Sequence, residues 1–465
     1  MIINNVTIKN LHGYLTKTIF FNNDINLIVG INGSGKTSLL NVINWLLTPS
    51  LPDLCTNEFD ELSIEFVYNK ETFMIRSIQT KDEVVIDIIN LSIGKKYNSI
   101  QADIKVHPKK LSIRNINIEN LIDDYKRLTP EKHEIETWNF IFNEIPNPII
   151  IGLDRNLYTE EGNEISYVEE NGIVRKRVNN ISKKSPLDKV VRLSGLEYTK
   201  YKNKILDLNK RLNDKIMLSS FDETITVDNI NELLSSPKIS IRQVESLEIK
   251  VRDYFKENLD NGKTHPLKLK SNDEAFSKIE TYFSNLKSLI NQINKDKRED
   301  TERYDILYIT NLNQFKKIRE LIKEFEEFEA KGKRFYESLK QYLETVNIFL
   351  KDSAKELYFD KYSSKLQFRI LDDKRNIVKE GRDIKDLSSG EMQILILFTF
   401  IKFNSKLGKL FIIDEPELSL HPRWQENFID GIKTIMPIET QLIFATHSPA
   451  IVGKNKDYCK VLMPF

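Results

Sequence analysis

The stretch Gly30-Ile31-Asn32-Gly33-Ser34-Gly35-Lys36-Thr37 fits the pattern GxxxxGK[ST], between a short apolar run, INLIVG, and a segment of helical spacing, KTSLLNVINWLL. In that setting the glycines let backbone N–H groups wrap phosphates, and the following helix points its positive end at them. Lys36 is expected to reach the β- and γ-phosphates of ATP, and Thr37 to bind Mg²⁺. Asn32, Gly33, Ser34, Gly35 and Ser38 complete the expected nucleotide-binding set. The plainer reading is a glycine-rich turn without nucleotide. A phosphate loop alone hydrolyses nothing, so the other half of the chemistry must lie elsewhere. In KLFIIDEPELSLHP (409–422) a buried-looking strand ends in Asp414-Glu415. Asp414 would hold the Mg²⁺ through water, and Glu415 would polarise the attacking water as general base. Read alone, such an acidic pair is a helix cap.

Two further segments carry spacing of interest. Leu387-Ser388-Ser389-Gly390-Glu391 opens a strongly apolar helix, LSSGEMQILILFTFI. A small-residue turn at a helix start offers anion-binding N–H groups. The same residues also read as a capping box, with Ser388 as N-cap and Glu391 three positions on. In LIFATHSPAIV (442–452) a strand ends at Thr446-His447-Ser448-Pro449. A lone histidine at a strand end is more often incidental.

The elements that must position these residues are partly legible. Residues 1–50 read as strand, turn, strand, loop, helix. ELSIEFVY, TFMIRSIQ and EVVIDIINL, within 60–106, form a β-meander bounded by turn residues. NPIIIGLDRN (147–156) is a further short buried strand. From about 185 to 350 the pattern turns helical. Ile279, Phe283, Leu286, Ile290 and Ile293 keep a 4–3 rhythm, as do Phe315, Ile318, Ile322, Phe325 and Phe328, and Phe335, Leu339, Tyr342 and Val346. These are helices packing on their own domain or an oligomerisation arm. NQINKDKREDTERYD (291–305) reads as an exposed connection or helix tip, and KLQFRILDDKRNIVKE (365–380) as a hairpin.

Composition sets bounds. The 465 residues suffice for two or three domains, and 40% hydrophobic with 29% charged residues is an ordinary globular balance. With 69 Lys and Arg against 68 Asp and Glu, net charge gives no support for a nucleic-acid platform. Cys55 and Cys459 are the only cysteines, so neither a disulfide framework nor a zinc site is expected, and a reducing cytoplasm fits. No signal peptide and no apolar run of the ~18–20 residues needed to span a bilayer is found.

Taken together, the four motifs resemble the split ABC-type ATPase heads of the chromosome-maintenance, RecF and overcoming-lysogenization-defect (OLD) group. The resemblance covers roughly residues 1–50 and 385–455. It implies an α/β fold: an ABC-type P-loop ATPase head built from N- and C-terminal segments, with a β-meander lobe and an inserted helical or coiled-coil domain. The expected boundaries are 1–184 for the N-terminal part, 185–350 for the insertion and 351–465 for the C-terminal part. It implies that LSSGE is the signature turn, with Ser388, Ser389, Gly390 and Glu391 facing the γ-phosphate held by a second copy. Ser389 and Glu391 depart from the usual LSGGQ, as in the chromosome-maintenance branch. His447 looks like the switch histidine that contacts the γ-phosphate. His421, in SLHP, falls at the D-loop, facing a partner subunit or packing on Pro422. For the glutamine that senses Mg²⁺, Gln79 and Gln101 are candidates, with Asp154 or Arg155 as substitutes. Asn10-Leu11-His12-Gly13-Tyr14 follows the first strand, where related heads contact base or phosphates.

The insertion lacks the length and the CxxC of a zinc-hook arm. Only Ser448–Phe465 follows His447, too little for the TOPRIM nuclease of OLD proteins. The layout is most similar to ATPase subunits of PARIS-type anti-phage systems, and DEPELSLHP fits these better than Septu-type ATPases. That resemblance implies a cytoplasmic homodimer or higher oligomer of dimers, a separate TOPRIM-type nuclease effector and a phage-protein trigger. A RecF-like repair ATPase that binds DNA is the alternative.

Overall fold

The computed structural model describes residues 1–111, 118–151, 164–170, 173–179, 185–219, 239–260, 272–295, 301–404 and 410–463. Asp154 and Arg155 lie outside them. The chain divides into two compact units, Met1–Thr199 with Leu339–Phe465, and Lys200–Ser338.

The first unit is α/β. Among the described residues, Cys459–Val461, Ile25–Val29, Gln441–Thr446, Leu410–Asp414 and Ile149–Ile151 lie side by side, in that order, in one sheet. Every pairing in it is parallel. Parallel sheets are covered on both faces, so their strands read as unbroken apolar runs. Gln441–Thr446 is buried along its whole length. A second sheet is antiparallel, with Ile2–Leu11 flanked by Leu15–Phe20 and Glu61–Tyr68, followed by Glu71–Gln79 and Glu83–Asn90. Its strands alternate, as in Glu61–Tyr68, where Leu62, Ile64 and Phe66 point inward. Helix Lys36–Leu47 shares one core with both sheets: its Leu39, Ile43 and Leu46 join Val6, Ile64 and Ile75 of the antiparallel sheet and Ile28, Ile412 and Ile443 of the parallel one.

Strand Leu15–Phe20 was not expected from the sequence. Among the described residues it pairs with Ile2–Leu11 alone, through a turn in which Asn10, His12 and Gly13 take positive φ. Thr16, Lys17 and Thr18 mask its alternation. Strand Lys355–Phe359 was also unread; it completes a three-stranded antiparallel sheet with the expected hairpin, Leu366–Leu371 and Ile377–Asp383.

Helix Ser389–Phe403 is buried over most of its surface. Tyr342, fully buried, bonds through its hydroxyl to Thr399 Oγ1 at 2.8 Å. Edge-to-face contacts run from Phe349 to Phe398, Phe428 and Phe444. They tie helix Ser389–Phe403 to helix Pro422–Ile435 and to strand Gln441–Thr446.

The second unit is helical. Val244, Leu247 and Val251 of helix Ile241–Asp260 pack with Phe283, Leu286 and Ile290 of helix Asn272–Lys295 and with Leu312, Phe315 and Ile322. The last three lie on one 50-residue helix, Thr301–Leu350, which carries both of the later apolar rhythms. Of the polar stretch 291–305, the two ends are helical and 296–300 lie outside the described residues.

Candidate nucleotide site

The parallel register brings the motifs together. Val29 is paired with Thr446, and Asp414 with Ala445. The loop after Val29, the Asp414-Glu415 pair and His447 therefore leave the sheet at the same carboxyl edge, the usual ligand side of such sheets.

In the loop, Gly33 and Gly35 have φ of 79° and 91°, a region that side chains resist. A Cβ at Gly30 would lie 2.4 Å from the Leu462 carbonyl oxygen and 2.5 Å from Ser34 Oγ. The backbone is thus drawn tight, with helix Lys36–Leu47 opening directly behind it. Asn32 and Gly33 stand exposed at the tip, Ser38 is half-buried and Ser34 is buried. Lys36 is only 6% exposed, and its Nζ donates to the carbonyls of Gly30 at 2.9 Å and Ile31 at 3.1 Å. It lies 3.5 Å from His447 Nδ1. Burial pulls the Lys36 pKa below its ordinary value, against the charges of Glu415, Asp414 and Glu417.

Thr37 Oγ1 donates to Asp414 Oδ2 at 3.0 Å. Asp414 Oδ1 and Ser34 Oγ are buried, and neither finds a hydrogen-bond partner among the described residues. Burial pushes the Asp414 carboxyl above its ordinary value, with Thr37 acting against and Glu415 adding to the shift. A half-buried carboxylate with one buried oxygen unpartnered among the described residues, next to a threonine hydroxyl, suits a divalent cation. The unpartnered Ser34 hydroxyl and the left-handed loop glycines suit phosphate. The residues present therefore fit Mg²⁺ and a nucleotide. Glu415 is held at φ 48°, its N–H donating to the Ala445 carbonyl at 2.8 Å, and its Oε1 lies 3.9 Å from His447 Nε2.

The LSSGE turn is a capping box. Ser388 is the N-cap, and Glu391 Oε2 accepts from the Ser388 N–H at 2.7 Å. Ser388 and Ser389 are exposed, whereas Gly390 and Glu391 are buried. This corrects the expectation for Glu391, whose side chain turns inward instead of facing a second copy. Ser353 Oγ donates to it at 2.6 Å, and Lys355 Nζ lies 2.8 Å from Oε2. Burial raises its carboxyl pKa, but the bonds from Lys355, Ser353 and Ser388 outweigh burial and hold it below the ordinary value. A Cβ at Gly390 would come within 2.5 Å of the Ser419 carbonyl oxygen, so this turn lies directly on the one after Glu415. His421 is exposed and caps helix Pro422–Ile435, its Nδ1 accepting from the Arg423 N–H.

Gln79 binds the carbonyls of Leu54 and Asn57 and the Phe59 N–H, and Gln101 is exposed on strand Ile100–Asp103, so neither is bonded to the phosphate loop. His12 is held by the Glu58 carbonyl, and Tyr14 is 56% exposed, free to meet a ligand. Sequence reasoning missed Glu417, Gln393 and Gln425. Glu417 Oε1 accepts from the N–H groups of His447 at 2.6 Å and Ser448 at 3.1 Å. Gln393 Nε2 donates to the Pro416 carbonyl at 3.2 Å. Glu417 and Gln393 lie inside the acidic-strand and LSSGE motifs and Gln425 three residues past Pro422, but nothing local shows which strand end they would meet.

A phosphate loop, an acidic strand end and a histidine on adjacent parallel strands define a P-loop ATPase head. The chain belongs to the AAA_15 family, described as an AAA ATPase domain, which it matches over residues 1–452. It is 31% identical over 125 residues to the DNA replication and repair protein RecF of Francisella tularensis subsp. novicida (strain U112). The match takes in 25% of this chain and 36% of that protein, and RecF of subsp. tularensis (strain WY96-3418) gives the same figures. The chain thus spans about a third of the length of the curated relatives it matches. Among solved structures, the Smc head domain of Pyrococcus furiosus, bound to the C-terminal domain of ScpA, aligns over 96% of this chain and 90% of its own, at 12% identity and a TM-score of 0.32. The Smc head of Pyrococcus yayanosii aligns over 97% and 93%, at 13% identity and 0.30. Among the described residues, no helix is long and apolar enough to cross a membrane.

Proposed function

We propose that this ATPase-family chain binds and hydrolyses ATP at the site just described, and that two copies join through composite sites. The observation that carries the reading is the Thr37–Asp414 hydrogen bond beside the buried, unpartnered Asp414 Oδ1, within the reach of Lys36, Glu415 and His447. Thr37 and Asp414 hold the metal, which when bound supplies positive charge against the phosphates. Lys36 exchanges its two carbonyls for phosphate oxygens, a stronger charge-assisted contact. Glu415 takes a proton from the attacking water, and His447 orients on the terminal phosphate. Ser388 and Ser389, exposed at the start of the helix, meet the nucleotide of the second copy. The head is assigned to 1–184 and 351–465, with 185–350 inserted between. The test is Mg²⁺-dependent ATP turnover. Glu415→Gln keeps shape and loses the base, so it should bind ATP normally and turn over about 10²–10⁴-fold more slowly. Full turnover in that variant would move the base elsewhere.

The wider role we propose is that of sensor and scaffold in anti-phage defence, of PARIS type, holding a separate nuclease in a cytoplasmic complex. What supports it is the OLD-like set of motifs, Gly30–Thr37, Ser388–Glu391, Asp414-Glu415 and His447, in one chain. The RecF similarity favours a second reading, an ATPase that binds DNA during repair. Turnover stimulated by DNA would support repair. Co-purification with a nuclease encoded beside it would support defence, and its absence would count against that role.

A further inference from the structure

The residue that the motif chemistry leaves unused is Glu417. Its Oε1 takes two backbone N–H groups, from His447 and Ser448, at the start of the short helix Pro449–Val452. Its Oε2 is buried and has no partner among the described residues. The same turn is held from the other side. Ser448 Oγ donates to Gln425 Oε1 at 2.6 Å, and Gln425 Nε2 donates to the Leu420 carbonyl at 2.9 Å. The segment 415–420 is itself tightly wound, with Leu418 bonded to the Glu415 carbonyl, Leu420 to that of Glu417, and Ser419 at φ 72°. On its outer side it meets Gly390, where no Cβ would fit, and Gln393.

A carboxylate is a costly way to hold a turn here. It adds charge beside Asp414 and Glu415, and one oxygen is left buried without a donor. A neutral acceptor such as glutamine would hold the same two N–H groups without the added charge. What the charge adds is a stronger, shorter grip on the His447 N–H.

We propose that Glu417 is a positioning residue, fixing the His447 imidazole to the 415–420 turn on which the signature turn of the same chain rests. It rests on the reading of His447 given above. The chain of contacts runs from the Gly390 turn through Ser419 to Glu417 and His447. It would relay the seating of a second copy's nucleotide on the signature turn to the histidine of this chain's own site.

The experiment compares Glu417→Ala, Glu417→Gln, His447→Ala and the double variant Glu417→Ala/His447→Ala in the full chain, by kcat, KM and nucleotide Kd. Misplacing a group that acts in the reaction costs up to about 100-fold. Glu417→Ala should lose about 10- to 100-fold in kcat with KM and Kd little changed. Glu417→Gln keeps an acceptor oxygen and should recover to within about 5-fold of the parent, the difference between a charged and a neutral hydrogen bond. The double variant should be no slower than His447→Ala, because both changes remove one function. Unchanged kcat in Glu417→Ala, a multiplicative loss in the double variant, or Glu417→Gln as slow as Glu417→Ala would each overturn the proposal. If Glu417→Ala does not fold, Gln425→Ala takes its place, with a smaller loss in kcat that is again absent on the His447→Ala background; additivity there overturns it. His447→Ala with full turnover would sink the switch-histidine reading, and this inference with it. His447→Ala slow but Glu417→Ala normal would sink this inference alone.

Discussion

At the scale of the residue, Lys36 is the most constrained group in the site. An ammonium 6% exposed must be fully paired, and it closes the loop on the carbonyls of Gly30 and Ile31. Those bonds are replaceable, since three rotatable donors can turn to phosphate. Lys36→Ala should therefore fold and lose nucleotide affinity. A hydrogen bond to a charged group is worth about 1.5–3 kcal/mol, so the loss should be about 10- to 100-fold in Kd. Nucleotide titration of the variant checks this, with its melting curve as the control; near-parental affinity would remove Lys36 from the phosphates. Asp414 shows the complementary strain. Burial holds its carboxyl above the ordinary value, so the ionised form is disfavoured without a cation and relieved by one.

At the scale of the element, Glu391 joins the signature turn to the three-stranded sheet. Its side chain is 2% exposed against 20% for Lys355, and it also closes the capping box. Glu391→Ala strands the Lys355 ammonium and frees the Ser388 N–H. Breaking a largely buried pair costs about 3 kcal/mol at the lower end of its range, and the denaturation midpoint should fall accordingly. The sign of the pH effect follows from the carboxyl lying below its ordinary 4.5 when folded. The unfolded group holds its proton at higher pH than the folded one. Stability from Glu391 is present above about pH 4.5 and is lost as pH falls through the folded value. The gap between parent and variant should narrow in acid; a gap that stays constant would show that the pair contributes nothing through charge. These elements also mark what the sequence could tell. Strands such as Ile25–Val29 and Leu410–Asp414 were legible because parallel strands covered on both faces are apolar along most of their length. Leu15–Phe20 and Lys355–Phe359 were not, because edge strands mix Thr, Lys and Glu into their alternation. The capping box was legible because its partners are three residues apart. The Glu391–Lys355 and Glu417–His447 contacts were not, because they form only when distant segments return to one place.

At the scale of the whole molecule, the question is whether the signature turn acts within its own chain or on another. One copy carries Lys36, Thr37, Asp414 and Glu415 on one sheet edge, so on the function proposed above it would bind MgATP alone. Ser388 and Ser389 are exposed at the start of a different helix, and the positive end of a helix favours an anion. Two heads set face to face about a two-fold axis would satisfy both copies at once, each signature turn meeting the other's nucleotide. ATP would then hold the pair together, and hydrolysis would favour release, because the ligand binds one arrangement better than the other. Mixing Lys36→Ala chains with Ser388→Arg chains tests this. Each is expected to be inactive by itself at an ATP concentration below the weakened Kd of Lys36→Ala, the first with its site largely empty and the second with a bulky cation where the turn should seat. A mixed pair holds one intact composite site, formed by the phosphate loop of the Ser388→Arg chain and the signature turn of the Lys36→Ala chain. Random pairing makes half of all pairs mixed, each with one working site of two, so turnover should recover to about a quarter of the parental rate. Recovery that rises with the square of total chain concentration would place the signature turn in trans. Mixed pairs seen by crosslinking, yet with no turnover and no nucleotide trapped in the intact site, would put the turn to work within its own chain.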